Sequence, residues 1–299
     1  LDYLLSASLK FSIGLRWEDW EADYSDSLDE LFNPADKMSG GKISLIKSMT
    51  NETNIYASLA KGYKQGGFNL GLGLDANSTN QNLAYDPEFL TNYELGINTK
   101  LLDSKINFNG VIFYSYREDQ QVLISSQTDP SDPNTFSFLT QNAAEGVNHG
   151  LEINMDIDIR ESLSAFLNLG MLKTEIKNWQ SRQDLEGRAQ AHAPEKSYAL
   201  GLNWAPTSDT YLAIDFTGKS SFYYSDSHNN KSKSYVLTNL NLGYVKNNWS
   251  YELWARNVFD EYYSVRGFYF GNEAPNFIDT LYERHGDPRN IGFSIRYDF

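Results

Sequence analysis

Apolar and polar residues take turns along most of this chain. From Leu5 to Glu18, one parity holds Leu5, Ala7, Leu9, Phe11, Ile13, Leu15 and Trp17, and the other holds Ser6, Ser8, Lys10, Ser12, Gly14, Arg16 and Glu18. A period of two predicts a β-strand with one apolar and one polar face. The stretch is longer than the roughly five or six residues usual in globular strands. It covers the roughly 9–11 residues that a tilted strand needs to cross a bilayer core. Similar patterns run over Glu88 to Leu101 (Phe89, Thr91, Tyr93, Leu95, Ile97, Thr99 and Leu101 in phase) and over Ile106 to Arg117 (Phe108, Ile112, Tyr114 and Tyr116). In Val147 to Ile159, Val147, Leu151, Ile153, Met155, Ile157 and Ile159 oppose Asn148, Glu152, Asn154, Asp156 and Asp158.

Weaker alternation predicts further strands around Lys42 to Lys47, Asn54 to Ala60, Leu163 to Lys173, Tyr198 to Trp204, Tyr211 to Lys219, Val236 to Tyr244, Trp249 to Asn257 and Asn290 to Phe299. About twelve strands result, with no helical pattern. Short turns at 49–52, 102–104, 160–162, 205–209 and 246–248 alternate strictly with long polar connections. A soluble β-sandwich scatters long loops over both ends, whereas an outer-membrane barrel has short periplasmic turns and long extracellular loops. The expected fold is therefore all-β, an antiparallel transmembrane β-barrel wall with both termini on the periplasmic side. Trp204 and Trp249 beside short turns, and Trp17, Trp179 and Tyr223 near long loops, suit interfacial girdles.

Composition changes this picture little. No apolar run approaches the roughly 18 residues of a membrane-spanning helix. The mean hydropathy of −0.52 would suit a soluble protein. A strand barrel, however, averages lipid-facing with lumen-facing residues. The 299 residues contain no Cys, which excludes a disulfide scaffold and Cys-based metal or nucleophile chemistry. The net charge of −14 argues against a nucleic-acid partner. The chain opens on Leu-Asp-Tyr-Leu-Leu without Met or a signal-peptide pattern, as expected of a segment of a longer protein.

Four segments carry a family resemblance. Asn54 to Asn69 reads NIYASLAKGYKQGGFN, a strand ending in Gly62, Tyr63, Gly66, Gly67, Phe68 and Asn69. Asp86-Pro87-Glu88 leads to Glu94 and Gly96, then to Phe113-Tyr114 and Asp119-Gln120-Gln121-Val122. Glu145 to Glu152 contains Gly150 and Glu152. Ala255-Arg256-Asn257-Val258-Phe259 precedes Asp287-Pro288-Arg289-Asn290 and a terminal Phe299. Together they resemble the TonB-dependent receptors of bacterial outer membranes, in order and along the whole chain. The resemblance implies that residues 1–299 are one domain, the C-terminal part of a barrel of about 22 strands. It implies a plug domain and TonB-contacting peptide outside this sequence. It also implies TonB-energised uptake of a scarce nutrient, most often a ferric siderophore or similar iron complex, with no enzyme activity and no cofactor. The implied partners are outer-membrane lipid, a small-molecule ligand (iron chelate, sugar or cobalamin-like), TonB through the plug, and the barrel-insertion machinery through the last strand, an edge open to capture.

Candidate chemistry is sparse. Asp19, Glu21, Asp23 and Glu30 fall at positions 1, 3, 5 and 12 of an EF-hand-like loop, but its sixth position is Tyr24 rather than Gly. The plainer reading is a solvated acidic connection. His149, His192, His228 and His285 show no ligand spacing, no Ser-His-Asp pattern assembles, and Gly71-Leu72-Gly73 lacks the strand-and-helix context of a phosphate loop. Ring-bearing loops, with Phe68, Trp179, Tyr223, Phe268 and Tyr269 foremost, suit stacking on a ligand. Lumen-facing candidates are Glu94, Asn98, Glu152, Asn154, Asp156 and Arg256. Lys61 shares a parity with Ile55, Ala57 and Leu59, so it either stands above the hydrocarbon or follows a bulge near Gly62. Two other readings stay open: a complete passive or enzymatic 12-stranded barrel, and a soluble β-rich carbohydrate-binding module.

Overall fold

The computed structural model describes residues 1–25, 31–69, 84–127, 136–179 and 182–299. In chain order the strands are β1 (Asp2–Ser6), β2 (Leu9–Glu21), β3 (Tyr24–Ser25), β4 (Leu31–Phe32), β5 (Ala35–Ser48) and β6 (Thr53–Lys64). Next come β7 (Gly67–Phe68), β8 (Ala84–Tyr85), β9 (Glu88–Leu101), β10 (Ile106–Gln127), β11 (Phe136–Arg160) and β12 (Leu163–Asn178). Then follow β13 (Lys196–Thr207), β14 (Thr210–Lys219), β15 (Tyr235–Lys246), β16 (Trp249–Arg256), β17 (Ser264–Gly271), β18 (Asp279–His285) and β19 (Asn290–Tyr297).

One antiparallel sheet of 13 strands takes them in chain order as β1-β2-β5-β6-β9-β10-β11-β12-β13-β14-β15-β16-β19. The pairs β3-β4, β7-β8 and β17-β18 are separate two-stranded ladders within the long connections. Register aligns the alternating residues into rows. Phe11, Leu45, Ala57, Leu95, Ile112, Leu151 and Met171 stand side by side across neighbouring strands. Farther along, Ile157, Ala165, Leu202, Ile214, Leu240, Ala255 and Ile291 form another row. These residues are not covered by protein: Leu95 is 50 % exposed, Ile112 52 % and Ile291 66 %. An apolar surface running the width of a sheet is far larger than the patches soluble monomers tolerate. Lipid is the solvent that such a face requires.

The opposite face is polar. Asn54, Asn98, Asn109, Asn154 and Asn168 form one continuous row across β6, β9, β10, β11 and β12. Ser48 donates to Asn54 at 2.8 Å, and Asn109 donates to Asn98. Register puts Glu94, Glu152, Asp156 and Arg256 on this same face, as expected for the lumen. Rings here lie flat over a neighbouring glycine: Tyr56 on Gly96, Phe113 on Gly150, Trp254 on Gly292. A Cβ at Gly96 would come within 2.2 Å of the Tyr56 ring. Glycine lets each ring cover the backbone without protruding into the lumen.

The structure corrects the strand boundaries in three places. Leu5 to Glu18 is not one strand, because the chain turns at Ala7-Ser8 between β1 and β2, with the Ser8 N–H donating to the Ser6 hydroxyl at 3.3 Å. Leu4 pairs with Lys10 and Ser6 with Leu9, leaving Leu5 as a bulge. The bulge and the two-residue turn each shift the period-two phase by one residue. Together they cancel, so the alternation reads straight through the turn. This hairpin supplies the strand beyond the expected twelve. It sets Leu1 against Ile13 partway along β2, so of the two termini only the C-terminal end lies at the rim of short turns, not both as expected.

Second, β10 and β11 are 22 and 25 residues long and project well past the bilayer. In sequence their outer parts look like loop, since irregular pairing near Arg117, Gln120 and Gln121 breaks the phase there. Asp119 occupies a left-handed backbone at φ 53°. Third, the acidic stretch after Glu18 is not a single connection. Asp19 and Glu21 lie in β2, opposite Lys37 and Ala35 of β5. β6 also continues through Gly62 to Lys64 without a bulge against β9. Lys61 therefore stays on the outward face, its ammonium 4.9 Å from the Phe89 ring centre.

Trp17, Trp204 and Trp249 are exposed on the outward face, as a girdle requires, and Trp249 packs on Tyr297 at 4.8 Å. Trp179 is not in the girdle: it is 2 % exposed, packed with Ala144, Ile176 and Leu185 above the sheet.

The face assignment makes a direct prediction. Leu151→Arg on the lipid face should cost about 2–4 kcal/mol of folding stability. Asn154→Arg, on the lumen face of the same strand, should stay within about 0.5 kcal/mol. Urea titration of protein folded into lipid vesicles measures both, and equal costs would refute the assignment.

Candidate functional site

The resembling segments converge on loop junctions. Asn69 is buried, its Nδ2 donating to the Thr140 carbonyl at 2.9 Å and its Oδ1 accepting from the Thr140 N–H at 2.7 Å. The side-chain amide thus replaces a strand partner along the outer part of β11. Asn142 does the same for Asp86, accepting from its N–H at 2.6 Å and donating to its carbonyl at 2.8 Å. Glu88, beside Pro87, pairs with Arg117 at 3.0 Å and accepts from the Gln121 N–H at 2.9 Å. Gln121 Nε2 reaches the carbonyls of Gln65 and Asp86. Gly66 and Gly67 allow close approach of Tyr85: a Cβ at Gly66 would sit 2.5 Å from its carbonyl oxygen. Tyr63 donates to Glu18 at 2.9 Å, and Phe68 lies 5.3 Å from Tyr24 and 6.2 Å from Trp20.

Asn257 plays the equivalent part at the far end. It is buried at φ 48°, accepts from the Glu261 N–H at 2.8 Å, and donates to the carbonyls of Glu261 and Asp287. Asp260 then accepts from the Arg289 N–H at 2.8 Å, and the Pro288 carbonyl accepts from Asn290. Arg256 lies over Trp254, while Phe259 and Phe299 are exposed. These motif residues hold backbone. The string Asn257-Val258-Phe259-Asp260 with Asp287-Pro288-Arg289 brackets the β17-β18 hairpin and fixes where it stands.

That hairpin meets the 182–192 and 222–232 loops. Arg188 donates to the carbonyls of Ser225 and His228 (both 3.1 Å), to Asn229 at 2.9 Å and to Asp226 at 2.8 Å. Arg188 and Lys231 also lie against the Tyr223 ring, at 4.4 and 4.1 Å from its centre. Tyr224 packs on Gly267 and donates to Glu283. Burial, with the Glu283 bond, pushes the Tyr224 hydroxyl up to about 12, and the same bond holds the Glu283 carboxyl down.

Between these parts lies a cavity of about 410 Å³, bordered by Leu123, Tyr224, His228, Arg266, Phe268, Tyr269 and Phe270. No carboxylate lines it among the described residues. The nearby acids are engaged, Asp226 by Arg188 and Glu283 by Tyr224. The Arg266 guanidinium rests 4.9 Å from the Phe268 ring centre and has no carboxylate partner among the described residues. His228 Nδ1 accepts from the Asn230 N–H at 3.2 Å, which leaves the proton on Nε2, a buried atom that faces the Gly267 backbone. Burial lowers the His228 imidazole, opposed by a hydrogen bond to the Gly267 backbone and aided by Arg188; burial and then Arg266 lower His192. Both rings are held toward the neutral form.

Of the five ring residues singled out in the sequence, Phe268 and Tyr269 line this cavity, whereas Tyr223 does not and is held between Arg188 and Lys231. Phe68 lies apart with Trp20 and Tyr24, and Trp179 is packed away from any ligand. Arg266, one of the basic loop residues that the sequence offers for lining a pocket, does line it, whereas His228 was not placed there by sequence, because β17 and the 222–232 loop meet only in the fold. Asp19 sits 3.7 Å from Lys37, and Asn33 donates to Asp23. Glu30 and Gly71 to Gly73 lie outside the described residues, as do the side chains of Phe136 and Phe138. No group of three or more metal-ligating side chains occurs among the described residues. The histidines do not gather: His149 stacks on Tyr114, and His285 bonds Tyr262 and Ser264.

A lipid-facing sheet, a polar lumen face, short turns at one rim and long loops at the other define the wall of an outer-membrane barrel. The chain belongs to the family described as TonB dependent receptor-like, beta-barrel, which matches residues 1–258. It is 23 % identical over 269 residues to the pesticin receptor of Yersinia pestis, covering 87 % of this chain and 36 % of that protein. It is 22 % identical over 265 residues to the metal-pseudopaline receptor CntO of Pseudomonas aeruginosa, covering 86 % of this chain and 33 % of that one. The ferric yersiniabactin uptake receptor FyuA of Yersinia pestis superposes with a TM-score of 0.78 at 18 % identity, over 100 % of this chain and 44 % of that chain. The siderophore receptor PiuA of Acinetobacter baumannii gives 0.75 at 18 % identity, over 99 % of this chain and 42 % of that chain. The chain thus spans roughly a third of these curated relatives and under half of these solved structures. Its place is the bacterial outer membrane, and its family consists of receptors and transporters.

Asn257→Ala removes the buried amide and places a β-carbon in the left-handed backbone. It should cost about 1–3 kcal/mol and open residues 258–289 to limited proteolysis while the main sheet stays protected. An unchanged digestion pattern would remove Asn257 from this role.

Proposed function

We propose that residues 1–299 act as one domain of a receptor that imports a scarce nutrient, a ferric siderophore or similar iron complex, with energy delivered through TonB to a segment of the protein outside this chain. The observation that carries this reading is the 410 Å³ loop cavity, lined by rings, Arg266 and His228 with no carboxylate among the described residues, on a chain of net charge −14. Planar, electron-rich chelates that carry negative charge suit such walls, because rings stack on them and a guanidinium pairs with their oxygens. Import needs only binding and conformational change, so the reading includes no enzyme activity. The receptor relatives are consistent with it.

Deleting the gene for the full-length protein should abolish uptake of at least one radio-iron chelate in iron-starved cells, and collapsing the proton-motive force should do the same. Arg266→Ala with Tyr269→Ala should raise the half-saturating chelate concentration about tenfold, the equivalent of about 1.4 kcal/mol. Uptake that persists without energy would favour a passive barrel and overturn the reading.

The last strand also bears on assembly. Phe299 is fully exposed beyond β19, an edge strand of the sheet, and packs edge-on against Tyr297 at 5.1 Å. In this reading the strand is captured by the barrel-insertion machinery through β-augmentation. Removing Phe299 should lower the outer-membrane yield several-fold without changing the lipid-vesicle stability of protein refolded in vitro. Equal yields would count against the assignment.

A further inference from the structure

Strands β11, β12 and β13 lie inside the sheet, each with hydrogen-bonded neighbours from this chain on both sides. Their outward side chains therefore face neither the lumen nor an open edge, and meet the membrane and its boundary. On all three strands the apolar band ends in a basic residue. The outward residues from Leu151 to Ile159 of β11, from Leu163 to Met171 of β12 and from Tyr198 to Trp204 of β13 are all apolar or aromatic. Each run approaches the roughly 9–11 residues that a tilted strand needs to cross the hydrocarbon. The next outward residue toward the long loops is His149, Lys173 or Lys196, and all three are exposed.

Register gathers these three. His149 stands directly opposite Lys173, and Lys196 stands opposite Met171, one outward position below Lys173. Opposed β-carbons are about 5 Å apart and diagonal ones about 7–8 Å, so both ammonium groups reach a single phosphate-sized anion. Tyr114 stacks on the His149 ring at 6.3 Å, and Tyr198 lies on the outward face over Gly218. The acids beside them on this face are engaged: Glu175 accepts from Lys177 at 2.5 Å, and Glu145 from the Tyr116 hydroxyl at 2.7 Å. Neither Lys173 nor Lys196 takes part in an ion pair among the described residues. Two like charges at this spacing repel, and the hydrocarbon edge strips away part of their water. An anion held between them relieves both penalties.

From this geometry we infer that Lys173 and Lys196 bind the phosphate of a phosphorylated glycolipid in the outer leaflet. His149 donates to the same group, and the exposed Met171 and Leu200 receive the acyl chains. Place and charge select this occupant. The rim of long loops is the outer one. A chain of net charge −14 repels dissolved anions in general, whereas a lipid phosphate is fixed by its acyl chains at the depth of the two lysines. Tyr114 and Tyr198 offer ring faces to the sugars beside it. The inference rests on the outward face alone and holds whatever the receptor imports.

The test uses the full-length protein in detergent, stripped of lipid, with lipid A as the probe and native mass spectrometry as the readout. The parent should bind lipid A, and dephosphorylated lipid A about tenfold more weakly. Lys173→Gln with Lys196→Gln should weaken lipid A binding by a similar factor, whereas Lys173→Arg with Lys196→Arg should preserve it. Lys61→Gln, at an outward lysine four strands from β12, should leave it unchanged. Heat-modifiable gel mobility confirms that each variant is folded. Affinity within about twofold of the parent in the double Gln variant, or equal affinity for the two forms of the lipid, overturns the inference. Full displacement of the lipid by excess inorganic phosphate overturns it too, since the site would then be one for a free anion. The readout involves neither iron nor energy, so failed lipid binding leaves the uptake reading standing, and the reverse holds.

Discussion

In hydrocarbon, an unpaired backbone N–H or C=O has no water to turn to. Everything in this chain follows from the ladder that pairs those groups. Thirteen strands share it in simple chain order, each bonded to its sequence neighbours in the sheet. Because the ladder leaves side chains alternating between two faces, one face can meet lipid while the other meets the lumen. The rows of Leu, Ile, Phe and Ala outside, and of Asn, Glu, Asp and Ser inside, are consequences of one hydrogen-bonding pattern combined with two solvents. The apolar side chains therefore need no protein core beneath them. Among the described residues, the buried hydrophobic cluster of Ala144, Ile176, Trp179 and Leu185 sits at the level of the loops, where water returns and ordinary burial applies.

The loops solve a different problem. Beyond the membrane their backbones must find partners without a continuous sheet, and side-chain amides supply them. Asn69 on Thr140, Asn142 on Asp86 and Asn257 on Glu261 each replace a missing strand. This explains why the segments that resemble the receptor family contain so many Asn, Asp, Gly and Pro residues. They position the loops that surround the cavity, and the side chains that border it come from other parts of the loops.

Much of the wall was legible from the sequence. Period-two alternation is a local property, so the strands, their facing and the rhythm of short turns and long connections follow from short windows of residues. The lumen placement of Glu94, Glu152, Asp156 and Arg256 follows from the same parity. The exceptions also have local causes. At Leu5 to Ser8 a bulge and a turn cancel in phase, and near Asp119 a left-handed residue breaks phase within a strand that nevertheless continues.

The sites were far less legible, for a physical reason. Tyr224 meets Glu283, Arg188 meets Asp226 and His228 lies near Tyr269 across long stretches of chain. No periodicity encodes such meetings. Trp179 and Phe268 are equally aromatic in sequence, yet packing buries one and leaves the other at a cavity. The sequence alone determined the membrane wall and its two faces, because each strand obeys a rule written in its own residues. Only the tertiary structure decided that Lys173 and Lys196 stand together and that Arg266 joins His228, because those neighbours are set by register and by loop packing.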